Sequence, residues 1–278
     1  MRMFQGKLRI IPIFLLLLLA ASCSKYQKLL KSTDNELKLE KAIEYYYDED
    51  YNRAIGLLTD VIPAFRGTQK AETINYYYAM AHFKQRDYLL ASHYFKSFAA
   101  SFPNSEHAEE FLYLSAYCKY LESPRASLDQ TTSREAIQEL QNFVNRYPNS
   151  ERVEDAHELI DELRFKLEQK VFQNGLLYYN LRDYTASVTT FNTLIRDFPD
   201  TQFREEALFN IIRAHFEFAE MSIPQRQIER YGRVLTAYNN LIRQFPETRF
   251  LSQATRMKET AQSEIERLQA TLEITENN

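Results

Sequence analysis

The sequence predicts an all-α protein assembled from repeated helical hairpins, and three observations carry that prediction. The first is composition: 278 residues include only 5 Gly and 8 Pro, with 26% charged and 45% hydrophobic residues. That is too few turn formers for a β-sandwich or a doubly wound sheet. The second is a skeleton that occurs four times, as ASFPNSEHAEE from Ala100, NRYPNSERVEDA from Asn145, RDFPDTQFREEA from Arg196 and RQFPETRFLSQA from Arg243. An aromatic residue, a proline, a short polar residue and a Ser or Thr, followed by fresh apolar periodicity, is a helix stop succeeded at once by a helix start. The third lies upstream of each proline. Ala91, Phe95 and Phe98; Ala136, Leu140 and Phe143; Ser187, Phe191 and Leu194; and Val234, Tyr238 and Leu241 each place a small residue, then two bulky ones, at i, i+4 and i+7. This is one helix face, repeated.

The chain opens with Arg2, Lys7 and Arg9, an apolar run from Ile10 to Ala21, and Ala20-Ala21-Ser22 immediately before Cys23. The run is shorter than the ~20 residues that span a bilayer and has the character of a signal-peptide core. Small residues leading directly into a cysteine resemble the lipobox of bacterial lipoproteins, although Ala20 stands where that group more often has Leu. The resemblance implies that residues 1–22 are a removed signal peptide, that Cys23 is lipidated, and that 23–34 form the lipidated N-terminus and a linker. Beyond that covalent lipid no cofactor is expected. Lys25, Lys28 and Lys31 are expected chiefly as a solvated linker, with a weak attraction to anionic head groups as the other reading. Ser24 after the cysteine, with no acidic cluster following, implies the periplasmic face of an outer membrane. Cys118 is then left without a disulfide partner.

Each repeated helix is preceded by a partner. Ala42 precedes Ala54, Ala79 precedes Ala91, and Gly175 precedes Ser187 by the same interval, and matched small residues let two axes approach closely. Ala116 and Ala136, and likewise Ala214 and Val234, are separated by extra residues, ESPRASLDQTTSR and EMSIPQRQIERYG. Both insertions are expected in the turn of a hairpin. SERVEDAHELIDELRFKLEQKVFQNGLLYY reads as one long helix. Repeat one lacks the closing proline, with Arg66 and Gly67 in its place.

Five such hairpins resemble tetratricopeptide repeats, whose usual period is ~34 residues. The resemblance implies a superhelix with a concave inner surface, divided into residues 35–148 (repeats 1–3) and 149–272 (repeats 4–5 and a closing helix). Residues 273–278 would form a frayed tail.

In repeats of this kind the positions three before, and one and four after, the small residue of the first helix face the groove. Here these are Leu39, Ile43 and Tyr46; Tyr76, Met80 and Phe83; Tyr113, Tyr117 and Tyr120; Phe172, Leu176 and Tyr179; and Ile211, His215 and Phe218. The first three sets form a tyrosine-rich strip suited to an extended peptide with aromatic side chains. Helical spacing alone does not separate groove from core. Five histidines show no HExxH or other metal-ligand spacing, and neither a phosphate loop nor GxSxG occurs. No catalytic or metal residue is therefore expected. Net charge is −4, no basic stripe is present, and nucleic acid is not an expected partner.

Lipobox, linker, five repeats and the aromatic-proline punctuation together resemble the BamD family, lipoproteins of the outer-membrane β-barrel assembly machine (BAM). The likeness is strongest from Leu163 to Thr201, where a long helix, a Tyr-Tyr pair, Arg182 and RDFPDT follow in the family's order. It implies a non-enzymatic role, with N-terminal repeats receiving the C-terminal signal of unfolded barrel proteins. Tyr46, Tyr76, Met80, Phe83, Tyr113 and Tyr117 would accept the client's aromatic residues. C-terminal repeats would dock the barrel-forming subunit BamA through Arg226, Arg230 and Arg233, with other BAM subunits nearby. The alternative is a tetratricopeptide lipoprotein scaffold for cell-wall synthesis or pilus assembly.

Overall fold

A computed structural model describes residues 25–276. Residues 1–24, which hold the expected signal peptide and Cys23, and residues 277–278 lie outside the described residues. A short helix, α1 (25–30), precedes α2 (Asn35–Tyr47), α3 (Tyr51–Val61), α4 (Lys70–Lys84), α5 (Tyr88–Ser101), α6 (Ala108–Leu121), α7 (Thr131–Arg146), α8 (Val153–Asn180), α9 (Tyr184–Asp197), α10 (Arg204–Glu220), α11 (Pro224–Gln244) and α12 (Leu251–Glu276). Among the described residues there is no strand, and no helix is long and apolar enough to cross a membrane. The five hairpins are α2–α3, α4–α5 and α10–α11, α6–α7, bridged by Lys119 and Glu135, and α8–α9, where Ser187 meets Gly175; α12 packs on α11 and α10.

The chain forms two compact units: residues up to Ser123 with Thr132–Ile160, and Pro124–Thr131 with everything after Asp161. The division falls inside α8, between Ile160 and Asp161. In the first unit, Leu39, Ala42, Leu57, Leu58, Val61, Ile74 and Tyr78 form one buried cluster, and Ala79, Ala91, Phe95, Phe98, Phe111 and Cys118 another. In the second, Phe172, Phe191, Leu194, Ala207 and Ile211 are one cluster, and Leu208, Phe209, Ile212, Val234, Leu241, Ala254 and Ala261 the other. Each cluster draws on neighbouring hairpins, because a lone hairpin leaves its apolar face exposed.

The recurring punctuation has a common geometry. Phe102, Phe198 and Phe245 leave helical space with φ of −127°, −130° and −134°. The hydroxyls of Ser105, Ser150, Thr201 and Thr248 then accept from the amides two residues on, at 3.1, 3.1, 3.3 and 3.2 Å. The Ser or Thr therefore closes a turn ahead of the next helix instead of capping it directly.

A second punctuation joins the two helices of hairpins one, two and four. Glu49, Arg86 and Arg182 sit in the left-handed region with φ of 61°, 63° and 62°. The next residue is an aspartate each time. Asp50, Asp87 and Asp183 donate their amides to the carbonyls of Tyr45, His82 and Tyr178 at 2.8, 3.0 and 3.0 Å, which closes the first helix in a Schellman arrangement. Their carboxylates accept from the amides of Arg53, Leu90 and Ala186, which caps the second.

The inserted residues behave differently in the two hairpins that carry them. In the third, 122–130 form a loop in which Gln130 donates to the carbonyls of Arg125 and Leu128 at 2.9 and 3.1 Å. In the fifth the expectation of an inserted turn is corrected: only Met221–Ile223 lie between helices, and the extra residues lengthen α10 to 17 and α11 to 21 residues. The reason is local, since QRQIERYG contains good helix formers and Pro224 occupies the first turn, where a missing N–H costs nothing.

The small-residue positions are interior: Ala42, Ala54, Ala79, Ala91, Ala116, Ala136, Ser187, Ala214 and Val234 are all fully buried. At Gly175 the approach is close. A Cβ there would meet the Phe191 ring at 2.6–2.9 Å, and the Ser187 hydroxyl donates to the Gly175 carbonyl at 2.9 Å. Residues 25–30 are helical in α1, and α12 runs to Glu276.

Candidate functional site

Hairpins one and two and the start of α6 enclose a recess of about 600 Å³ lined by Tyr46, Tyr47, Gln69, Glu72, Thr73, Tyr76, Tyr77, Glu106 and His107. The helical register places the rings. Tyr46 and Tyr47 end α2, Tyr76 and Tyr77 face them from α4, and the turn before α6 brings His107 over Tyr76, with centroids 4.6 Å apart. Tyr46 meets Tyr77 edge-on at 5.0 Å and Tyr51 at 5.6 Å. The hydroxyls of Tyr47 and Tyr77 are 2.8 Å apart. Those of Tyr46 and Tyr76 make no hydrogen bond among the described residues, leaving a donor and acceptor for a ligand. Burial pushes the Tyr46 phenol up to about 12, with Tyr76, Tyr51 and Tyr47 adding to the effect. It stays protonated at any physiological pH.

A second group lies on α6. Tyr113, Tyr117 and Tyr120 stack in succession, with centroids 6.0 and 5.8 Å apart and planes within 9° and 14° of parallel. Tyr113 is only 6% exposed, roofed by the Arg152 guanidinium 5.1 Å from its centroid. Arg152 is fixed by Glu110, to which it donates twice at 3.0 and 2.8 Å, and by Asp155 at 3.1 Å. Tyr117 is half-buried.

Met80 and Phe83 lean on the second core cluster beside Tyr76, and Phe83 meets Phe95 at 5.7 Å. Of the three positions expected to face a groove, the first is interior in four hairpins: Leu39, Tyr113, Phe172 and Ile211 are each 6–7% exposed. In the remaining one, Tyr76 stacks on Phe111 at 5.3 Å. The other two positions, such as Ile43, Tyr46, Leu176, Tyr179, His215 and Phe218, are half-buried.

The three arginines lie in the first half of α11. Arg226 and Arg233 are exposed and share Glu229, at 3.7 and 2.6 Å. Arg230 lies over the Phe218 ring, 3.8 Å from its centroid, and donates to Ser222, so it pins the end of α10 to the start of α11. Beside them Met221 and Ile223 stand 60% and 64% exposed, an apolar tip that the sequence reading missed. Apolar residues between a helix end and Pro224 were the available signal. The reading also missed Tyr47, Tyr77 and His107, of which the first two adjoin predicted residues.

Elsewhere the Cys118 thiol is buried and pushed up to about 12, first by burial and then by Glu122. Among the described residues no group of three His, Cys, Asp or Glu side chains is placed to hold a metal ion.

Five hairpins with matched small residues, stop-start turns and shared inter-hairpin cores define a repeat protein of the tetratricopeptide kind. The family model described as YfiO, outer membrane lipoprotein, matches residues 32–231, and the chain belongs to that family. It is also similar to a protein of Caulobacter vibrioides (strain ATCC 19089 / CIP 103742 / CB 15) named outer membrane protein assembly factor BamD. The two are 28% identical over 135 residues, covering 49% of this chain and 44% of that one. The match thus spans less than half of the relative's length. Two solved structures overlap loosely. One is the TPR2AB-domain:pHSP90-complex of yeast Sti1, with TM-score 0.37, 11% identity, and 87% and 96% of the two chains covered. The other is the TPR domain of P58(IPK), with TM-score 0.39, 13% identity, and 91% and 69% covered.

Proposed function

We propose that this chain is an outer-membrane-anchored, periplasmic assembly factor that binds unfolded barrel proteins and a barrel-forming partner of the BamA type and changes no covalent bond. Membership of an outer membrane lipoprotein family supports the location, and the name of the Caulobacter relative supports the role. The lipid is carried by Cys23. The observation that bears most weight is the tyrosine-lined recess with its unengaged Tyr46 and Tyr76 hydroxyls. Phenol rings supply large contact area at small entropic cost, and their hydroxyls hydrogen-bond an extended backbone. Tyr46, Tyr76 and Tyr117 contact the client, while Met80, Phe83 and Tyr113 support them from the core side. The Met221–Ile223 tip with Arg226 and Arg233 docks the barrel-forming partner, and Arg230 holds that tip in place.

The test is a titration with peptides from the C-termini of outer-membrane barrel proteins. Tyr46→Ala with Tyr117→Ala should weaken binding about 10- to 100-fold, the loss of two aromatic anchors, while helical content stays unchanged. Unaltered affinity in a folded double variant contradicts the assignment.

A further inference from the structure

The first helix is docked, not tethered. Tyr26 donates its hydroxyl to the Arg53 carbonyl at 3.4 Å and meets Tyr45 edge-on at 5.9 Å, and the Arg53 guanidinium lies 5.6 Å from both rings. Gly56 makes the fit possible, since a Cβ there would stand 2.3 Å from the Tyr26 hydroxyl. Leu29 and Leu30 add to the first hairpin's core. On the other side, Lys25 and Lys28 of α1 and Lys31 just past its end recur every three residues, all exposed. None of the three ammonium groups has an ion pair or hydrogen bond among the described residues. The chain from Cys23 to Tyr26 spans at most about 11 Å when fully extended.

We infer that α1 and the residue after it form a membrane-docking element: the apolar side locks to the first hairpin while Lys25, Lys28 and Lys31 rest on an anionic phospholipid surface, holding that hairpin against the bilayer beside the anchor. This rests on the reading of Cys23 as the lipidated residue. Three unpaired cations within reach of the anchor and an apolar face already occupied by α3 leave the charged face to the surface that the anchor enters. Each lysine near such a surface is worth about fivefold in partitioning, so three give about 100-fold.

The experiment uses the mature chain with Cys23→Ser, which removes the lipid and isolates the lysines. It should sediment with phosphatidylglycerol-containing vesicles, less as salt rises, and not with pure phosphatidylcholine. Lys25→Gln, Lys28→Gln and Lys31→Gln together should reduce binding about 100-fold. Hydrogen exchange should show protected amides at residues 29–32 in the parent chain. That protection should be lost in both Tyr26→Ala and Gly56→Leu while α4 to α6 keep theirs. Equal binding to both vesicle types, full binding by the triple variant, or unprotected amides in the parent chain each overturns the inference. The mass of Cys23 on chain taken from membranes is a separate readout. A bare cysteine there defeats the anchor reading and, with it, the placement beside an anchor, whatever the vesicles show.

Discussion

Gly175 and Phe191 show what a single position controls. In an exposed helix, replacing glycine by alanine gains about 1 kcal/mol. Here the new methyl would enter a fully buried ring, and overpacking costs about 1–3 kcal/mol. Gly175→Ala should therefore lower stability by up to about 2 kcal/mol in denaturant unfolding, and Phe191→Leu added to it should recover part of the loss. That a small residue was needed at 175 is visible in the repeat pattern; that it faces Phe191 is not, because the pattern carries no distances. His82 offers a pH test. Its ring is buried between Tyr78 and Tyr94, with Nδ1 3.4 Å from Asp87 and Nε2 without a hydrogen-bond partner among the described residues. Burial holds its pKa below the ordinary 6.5, outweighing Asp87. The unfolded chain then binds more protons than the folded one below that value, so stability falls as pH drops through about 6.5. His215 acts in the same direction, through burial and Arg233. His82→Phe should flatten the decline between about pH 7 and 5; an unchanged slope removes His82 from the account.

Among the elements, the turns of hairpins one, two and four are the most economical. The sequences EDY at Glu49, RDY at Arg86 and RDY at Arg182 were in view, yet only the structure shows one aspartate ending one helix and starting the next. A left-handed non-glycine residue costs about 1–2 kcal/mol, so Arg182→Gly should leave stability unchanged or raise it by up to about 1 kcal/mol. Asp183→Ala should lower it by about 1 kcal/mol; equal effects from the two changes contradict this geometry. Helix periodicity located α2 to α12, including the long α8, because apolar spacing over many residues is a strong signal. It failed where the signal is short or contextual. Tyr26, Leu29 and Leu30 are too few to mark α1 without the Gly56 surface opposite. The fifth insertion was absorbed into its helices because QRQIERY consists largely of helix formers and Pro224 sits in the first turn. Tyr113 matched a groove position, but the Arg152 clamp that roofs it comes from a turn beyond the next helix.

For the whole molecule, the proposed function needs two recognition surfaces, one in each compact unit. Repeat architecture and family were legible because the same punctuation recurs. The division between core and reachable tyrosines was not, since it depends on neighbouring hairpins. The most direct measurement is affinity purification of the native lipoprotein from outer membranes, beside a Met221→Asp variant with Arg226→Glu and Arg233→Glu. The account predicts a barrel-forming partner recovered with the native chain and lost from the variant, while client peptide still binds both. Recovery of cell-wall or pilus machinery without any barrel protein, or an undiminished yield from the variant, would contradict it.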